Sequence, residues 1–199
     1  PLSYFSWLDH EARLKDHEFR KRYRLTKTSF HKLHRLLKDR LETKNERQAK
    51  RSRPVGGRID SRARLALGLR YLSGGEMNDL GLLYHMSSFA ANQALWMFVD
   101  AVNGCKELAI NADWVDDPEI LADLESQFAL AHWRRYGSPS WRGQVGAIAG
   151  VDFKMLSPGS AVPNPKRFYV QRKSAYELLC IAICDAHRRF LYYDMSFES

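Results

Sequence analysis

The spacing of apolar residues changes once along this chain, at Gly137-Ser138-Pro139-Ser140. Before that break apolar residues recur every third or fourth position, and after it they alternate. A helix needs the first pattern and a half-buried strand the second, so the two parts cannot form one kind of layer. The chain is therefore expected to be α+β, with its helices first and an antiparallel sheet after them. With 199 residues, 45% of them hydrophobic, it has enough apolar mass for one domain of ordinary size or two small ones. No run of roughly twenty apolar residues is present to cross a bilayer, so no membrane partner is expected. Cys105, Cys180 and Cys184 form neither an even set nor a CxxC pair. That argues against a disulfide framework and for a reducing compartment. A nuclear or otherwise intracellular setting is the expectation. The chain begins at Pro1 without a basic-then-apolar signal region, which suggests a fragment or a processed product.

The helical part divides at a polar stretch, residues 42 to 60, in which Pro54, Gly56 and Gly57 sit among charges and which is expected to be a mobile linker. Residues 1 to 60 thus read as a basic helical segment with its linker. Tyr4, Phe5 and Trp7 are its expected anchor, and Phe30, Leu33, Leu36, Leu37 and Leu41 are the stripe of an amphipathic helix that Thr26 or Thr28 would cap. Residues 61 to 136 read as three short helices and a longer one. Ser61 is the expected cap of the first, which carries Leu65, Leu67, Leu69 and Leu72, and Ser73-Gly74-Gly75 ends it. Glu76 to Tyr84 forms the second, burying Met77, Leu80 and Leu83. Ser87 or Ser88 caps the third, with Phe89, Leu95, Trp96, Val99 and Val102 as its stripe. Helix, short helix, tight turn and capped helix is the order of a helix-turn-helix. Asp116-Asp117-Pro118-Glu119 opens the longer helix.

Charge is segregated along the same divisions. Residues 11 to 70 hold 20 basic and 7 acidic residues, residues 71 to 133 hold Lys106 against ten acids, and residues 134 to 199 hold ten basic residues and five acids. A block at +13 attracts polyanions, with DNA the expected partner, while charge alone equally suits a solvated Lys/Arg-rich helical face. In a helix-turn-helix, Asn92 and Gln93 would meet base edges and Ser87 and Ser88 the backbone. No Lys or Arg lies between Tyr71 and Cys105, so phosphate contacts must come from the preceding block, with Arg62 and Arg64 the nearest candidates.

After the break, residues 144 to 155, Phe168 to Val170 followed by Ala175 to Cys184, and Phe190 to Met195 read as three successive strands, the last two forming a hairpin at Asp185-Ala186-His187-Arg188. Lys166, Arg167, Arg172 and Lys173 around Phe168 and Tyr169 form a basic and aromatic cluster that reads first as ordinary surface and otherwise as a grip on a phosphate backbone.

VGAIAGVDFKM, RFYVQRK and LLCIAICDAHRRFLYYD, preceded by RLALGLRYLSGGEMNDLGLLYHMSSFAANQALWMFVDAV, resemble the helix-turn-helix and the opening of the nuclease domain of Harbinger-type transposases, over roughly residues 60 to 199. The resemblance implies that residues 144 to 199 are the first three strands of an incomplete RNase H-like domain of the DDE superfamily. It also implies cleavage of DNA by Mg²⁺ or another divalent metal held by three carboxylates, because two such ions stabilise the attacking and leaving oxygens. DNA, a second copy of the chain or a helper DNA-binding protein are the implied partners. The family's first catalytic Asp, in a Gly-Ala-Ile-Asp-Gly pattern, falls on Ala149 of Gly146-Ala147-Ile148-Ala149-Gly150. Ala149 has no oxygen to hold a metal. Asp152 is expected on the opposite strand face, and could serve as a metal ligand only if a bulge at Gly150 shifted the register. The other two carboxylates would lie beyond Ser199. The resemblance therefore implies a DNA-binding relative without a resident metal, or a nuclease completed by further sequence or a partner chain. A module that pairs its open sheet edge with a partner is a third expectation.

The remaining constellations have plainer readings. His31 and His34 share a helix face but lie among Lys32 and Arg35, without further ligands, and read as a solvated basic face. Cys180 and Cys184 read as core thiols, and Asp185 and Asp194 as structural acids of a turn and a strand end.

Overall fold

The computed structural model describes residues 5–42, 59–110, 113–138, 142–159 and 162–196. The expected mobile linker lies largely outside these residues, as does Tyr4. The chain divides into two compact units, Pro1–Ala109 and Ile110–Ser199. Among the described residues the first is helical and the second joins one long helix to a four-stranded antiparallel sheet, so the chain is α+β.

In the first unit the opening stretch folds as two helices, α1 (Trp7–Arg13) and α2 (Asp16–Tyr23). Ser6 accepts from the Asp9 N–H to start α1, and Glu18 accepts from the Lys15 N–H to start α2. In α3 (Lys27–Leu41), Thr26 is the cap, and Phe30, His34, Leu37 and Leu41 are buried at helical spacing. Trp7 stacks on Phe30 with ring centroids 4.7 Å apart, and Phe5 meets Tyr84 edge-on, as expected of an N-terminal anchor.

The next helix, α4 (Ser61–Leu72), runs through the core, with Ala63, Leu65, Ala66 and Leu67 fully buried. Its cap is Asp60 rather than Ser61, because the Asp60 carboxylate reaches the Arg62 N–H at 2.8 Å. Ser61 is instead buried and hydrogen-bonded to His34. Gly74, at φ +91°, ends α4, and the Gly75 N–H closes back on the Arg70 carbonyl. A short α5 (Met77–Leu83) follows. His85 occupies a left-handed conformation at φ 52° while the Met86 N–H bonds the Gly81 carbonyl. Ser87 then caps α6 (Ser88–Asn103) by accepting from the Ala90 N–H.

Two features pack this unit. A Cβ on Gly68 would stand 2.2 Å from the Phe98 ring, so the missing side chain is what lets α6 approach α4. A buried polar chain runs from His10 through the Tyr23 hydroxyl, 2.8 Å away, to the Tyr84 hydroxyl, 3.0 Å further on. Phe89, at 78% exposure, and Trp96, at 58%, were expected in the buried stripe of α6 but face solvent, and Leu72 and Leu83 are also turned outward. Ala90, Ala91, Ala94 and Phe98 form the buried stripe in their place, because small residues allow the close approach to α4.

In the second unit Asp117 accepts from the N–H groups of Glu119 and Ile120, Pro118 takes the first helical position, and α7 (Pro118–Tyr136) ends at Gly137, φ 70°. The sheet contains β1 (Ala147–Met155), β2 (Tyr169–Val170), β3 (Ala175–Cys184) and β4 (Phe190–Ser196). Both β1 and β4 run antiparallel to β3, with β2 beside the first residues of β3. The expected hairpin is thus β3–β4. Asp185 holds its turn, accepting from the His187 and Arg189 N–H groups and from Arg189 Nε at 2.6 Å. Among the described residues β1 pairs with β3 alone, which leaves its other edge open.

Candidate nucleic-acid interface

The residues read as a helix-turn-helix lie on α4, α5 and α6. Ser87 has its hydroxyl committed to the cap, and Ser88 and Asn92 are exposed on the first turns of α6, with Gln93 half-buried beside them. Phe89 and Trp96 lie on the same outward stripe, three residues before and four after Asn92. This stripe offers an amide and two aromatic faces and no cation. The aromatic exposure was hidden in the sequence because period alone does not say which of two apolar arcs meets the core.

The two arginines proposed from the sequence part company. Arg62 is half-buried, and its Nε has no hydrogen-bond partner among the described residues. Arg64 is 3% exposed and donates to the Leu41 carbonyl, which ties α3 to α4. Its burial removes it from any surface a duplex could touch, a correction that follows from α4 being central rather than peripheral. His31 and His34 also diverge. His31 bonds Glu11 at 2.7 Å, His34 bonds Ser61 at 2.9 Å, and burial followed by the nearby Arg62 charge holds the His34 pKa below its ordinary value.

The cationic surface of this unit lies on α2, α3 and the end of α4. Lys21, Arg22 and Arg24 are exposed on α2 and its cap, and Lys32, Arg35 and Lys38 on α3. Among the described residues Lys27 pairs with Asp16 and His31 with Glu11. Among the described residues Lys21, Arg22, Arg24, Lys32, Arg35 and Lys38 form no ion pair.

On the sheet the β1–β3 register is continuous from Ala147 opposite Cys184 to Met155 opposite Tyr176. No bulge interrupts it at Gly150. Directly opposed residues share a face, so Ala149 lies with Ala182, Cys180 and Tyr193, whereas Asp152 lies on the other face with Glu177 and Asp194. The face bearing Ala149 receives no acid from β1, β3 or β4. Asp152 is ion-paired with Lys173, which also reaches Glu177 at 2.7 Å, and the Asp152 and then the Glu177 hydrogen bond push the Lys173 pKa up. A lysine ammonium therefore occupies the space between the two carboxylates. Among the described residues no group of three His, Cys, Asp or Glu could hold a metal. The residues present do not fit the divalent ions that the resemblance implies. Within the basic and aromatic cluster, Lys166, Arg167 and Arg172 are exposed, Phe168 is buried, and Tyr169 packs edge-on against Tyr176.

Comparison with family models, with curated proteins and with solved structures finds no match to this chain. No helix among the described residues is long and apolar enough to cross a membrane.

Proposed function

We propose that this chain is a DNA-binding protein related to Harbinger-type transposases, in which the helical unit holds duplex DNA and the sheet is a catalytically silent counterpart of an RNase H-like nuclease core. The observation that carries the reading is the cationic surface of α2, α3 and the end of α4, where Lys21, Arg22, Arg24, Lys32, Arg35 and Lys38 form no ion pair among the described residues, on the same unit as the exposed Asn92 and half-buried Gln93 of α6. Cations release counterions from the backbone and supply affinity, while Asn92 and Gln93 supply hydrogen bonds to base edges. Phe89 and Trp96 would add apolar contacts to thymine methyl groups or to the sugar edge. The antiparallel order β1–β3–β4 supports the kinship, and Ala149 on an acid-free face supports the silence of the nuclease part.

Titration of the full chain with duplex DNA at several ionic strengths tests this. The logarithm of the association constant is expected to fall linearly with the logarithm of salt concentration, and Asn92→Ala to reduce discrimination between duplex sequences by about 1–3 kcal/mol. No binding, or tight binding indifferent to salt, overturns the proposal.

A further inference from the structure

We infer that the cleft between α2 and the C-terminal end of α4 is a phosphate site that grips the backbone of duplex DNA. The inference rests on the duplex-binding reading above and adds the place at which the backbone is held. The cleft has a volume of about 550 Å³ and is lined by Glu18, Lys21, Arg22, Arg24, Arg70 and Ser73. Four cations from two helices thus converge on one concavity, and none of them forms an ion pair with a described residue. The one acid present, Glu18, is ionised and offsets one of these charges. Glu18 accepts the Lys15 N–H at 2.9 Å, and that bond holds its pKa below the usual carboxylate range. The Ser73 hydroxyl likewise donates to the Leu69 carbonyl at 2.8 Å.

Gathering four cations around a single carboxylate leaves a net positive charge, and a concave site concentrates its field on an incoming anion. A phosphodiester suits the donors, since two or more guanidinium groups can each present paired N–H groups to its oxygens. The scaffold around the cleft is fixed. Arg24 closes α2 in a left-handed conformation at φ 58°, and the Gly75 N–H closes the end of α4 on the Arg70 carbonyl. Tyr23, between Arg22 and Arg24, is buried and bonded to Tyr84, which lies in the turn leading into α6. The cleft and the outward residues of α6 therefore belong to one compact unit. This arrangement supplies the phosphate contacts that α6, lacking Lys and Arg, cannot make.

The test is the salt dependence of duplex binding by the full chain and by Arg22→Gln, Arg24→Gln, Arg70→Gln and the triple variant, with Lys154→Gln on the sheet as a control. The slope of log association constant against log salt is expected to fall by about 0.9 for each cleft arginine removed, and to stay at the wild-type value for Lys154→Gln. A folded triple variant with the wild-type slope and affinity overturns the inference and leaves the duplex-binding reading intact. Failure of the wild-type chain to bind duplex overturns both, and is seen before any substitution is made. Should Arg70→Gln fail to fold, Arg24→Asn decides the matter, because Asn adopts the left-handed conformation readily. A wild-type slope in that variant counts against the cleft, and a reduced one supports it.

Discussion

His34 and Asp185 are buried ionisable groups with opposite solutions to burial. Burial and then the Arg62 charge hold the His34 pKa below the ordinary histidine value, and its ring bonds the Ser61 hydroxyl. Since the folded value is depressed, the stability contributed by the neutral ring is fully present above the unfolded pKa of about 6.5 and is lost as the pH falls through the folded value. The thermal midpoint of the chain is expected to drop as the pH is lowered from about 7.5 to about 5.5, and His34→Gln to flatten that drop. A midpoint equally pH-dependent in both proteins would contradict the assignment. Asp185 stays charged. Burial works to raise its pKa, but the Arg189 N–H and side chain, with the His187 N–H, outweigh it and hold the carboxyl low. The sequence marked Asp185 correctly as a turn residue because Asp favours local backbone bonding. It could not disclose that Arg64 is buried, since its fate depends on the Leu41 carbonyl contributed by another helix.

At the scale of elements, what could be read from local chemistry was the set of boundaries. Ser87, Asp117-Pro118 and Gly137 act as the helix signals they resemble, because a cap needs only a few neighbouring residues. Which face of an element meets the core is a tertiary matter. The stripe assigned to α6 from Phe89 and Trp96 lost to the alanine face, because α4 presents Gly68 and small side chains there. Gly68→Ala is expected to destabilise the chain by about 1–3 kcal/mol, its methyl group displacing the Phe98 ring. Pairing it with Phe98→Leu should recover part of that loss, as read by denaturant unfolding. A neutral single variant would contradict the close approach of α4 and α6. The alternation of faces along β1 was legible for the same reason as the caps, whereas its pairing with β3 was not read from the sequence. Alternation puts Ala149 and Asp152 on opposite faces, and a continuous register keeps them there.

Across the whole molecule, charge and chemistry are divided between the units. The helical unit carries the cationic surface and the outward amides, and the sheet carries the acids Asp152 and Glu177 bridged by Lys173 on one face and an apolar face around Ala149 on the other. The charge blocks of the sequence announced the first half of this division. The second half was hidden, since the bridge depends on Lys173 reaching across strands that are distant in sequence. Val151, Phe153 and Tyr193 remain about half exposed on the apolar face, so the sheet is not sealed among the described residues. The proposal of a DNA-binding relative without a working metal centre is tested most directly by one assay. Duplex DNA is incubated with the full chain and with Ala149→Asp, in Mg²⁺ and in EDTA, and binding and strand cleavage are read together. The expected result is binding by both proteins and cutting by neither, because a single added carboxylate on an acid-free face does not assemble a metal site. Mg²⁺-dependent cutting by either protein would contradict the account.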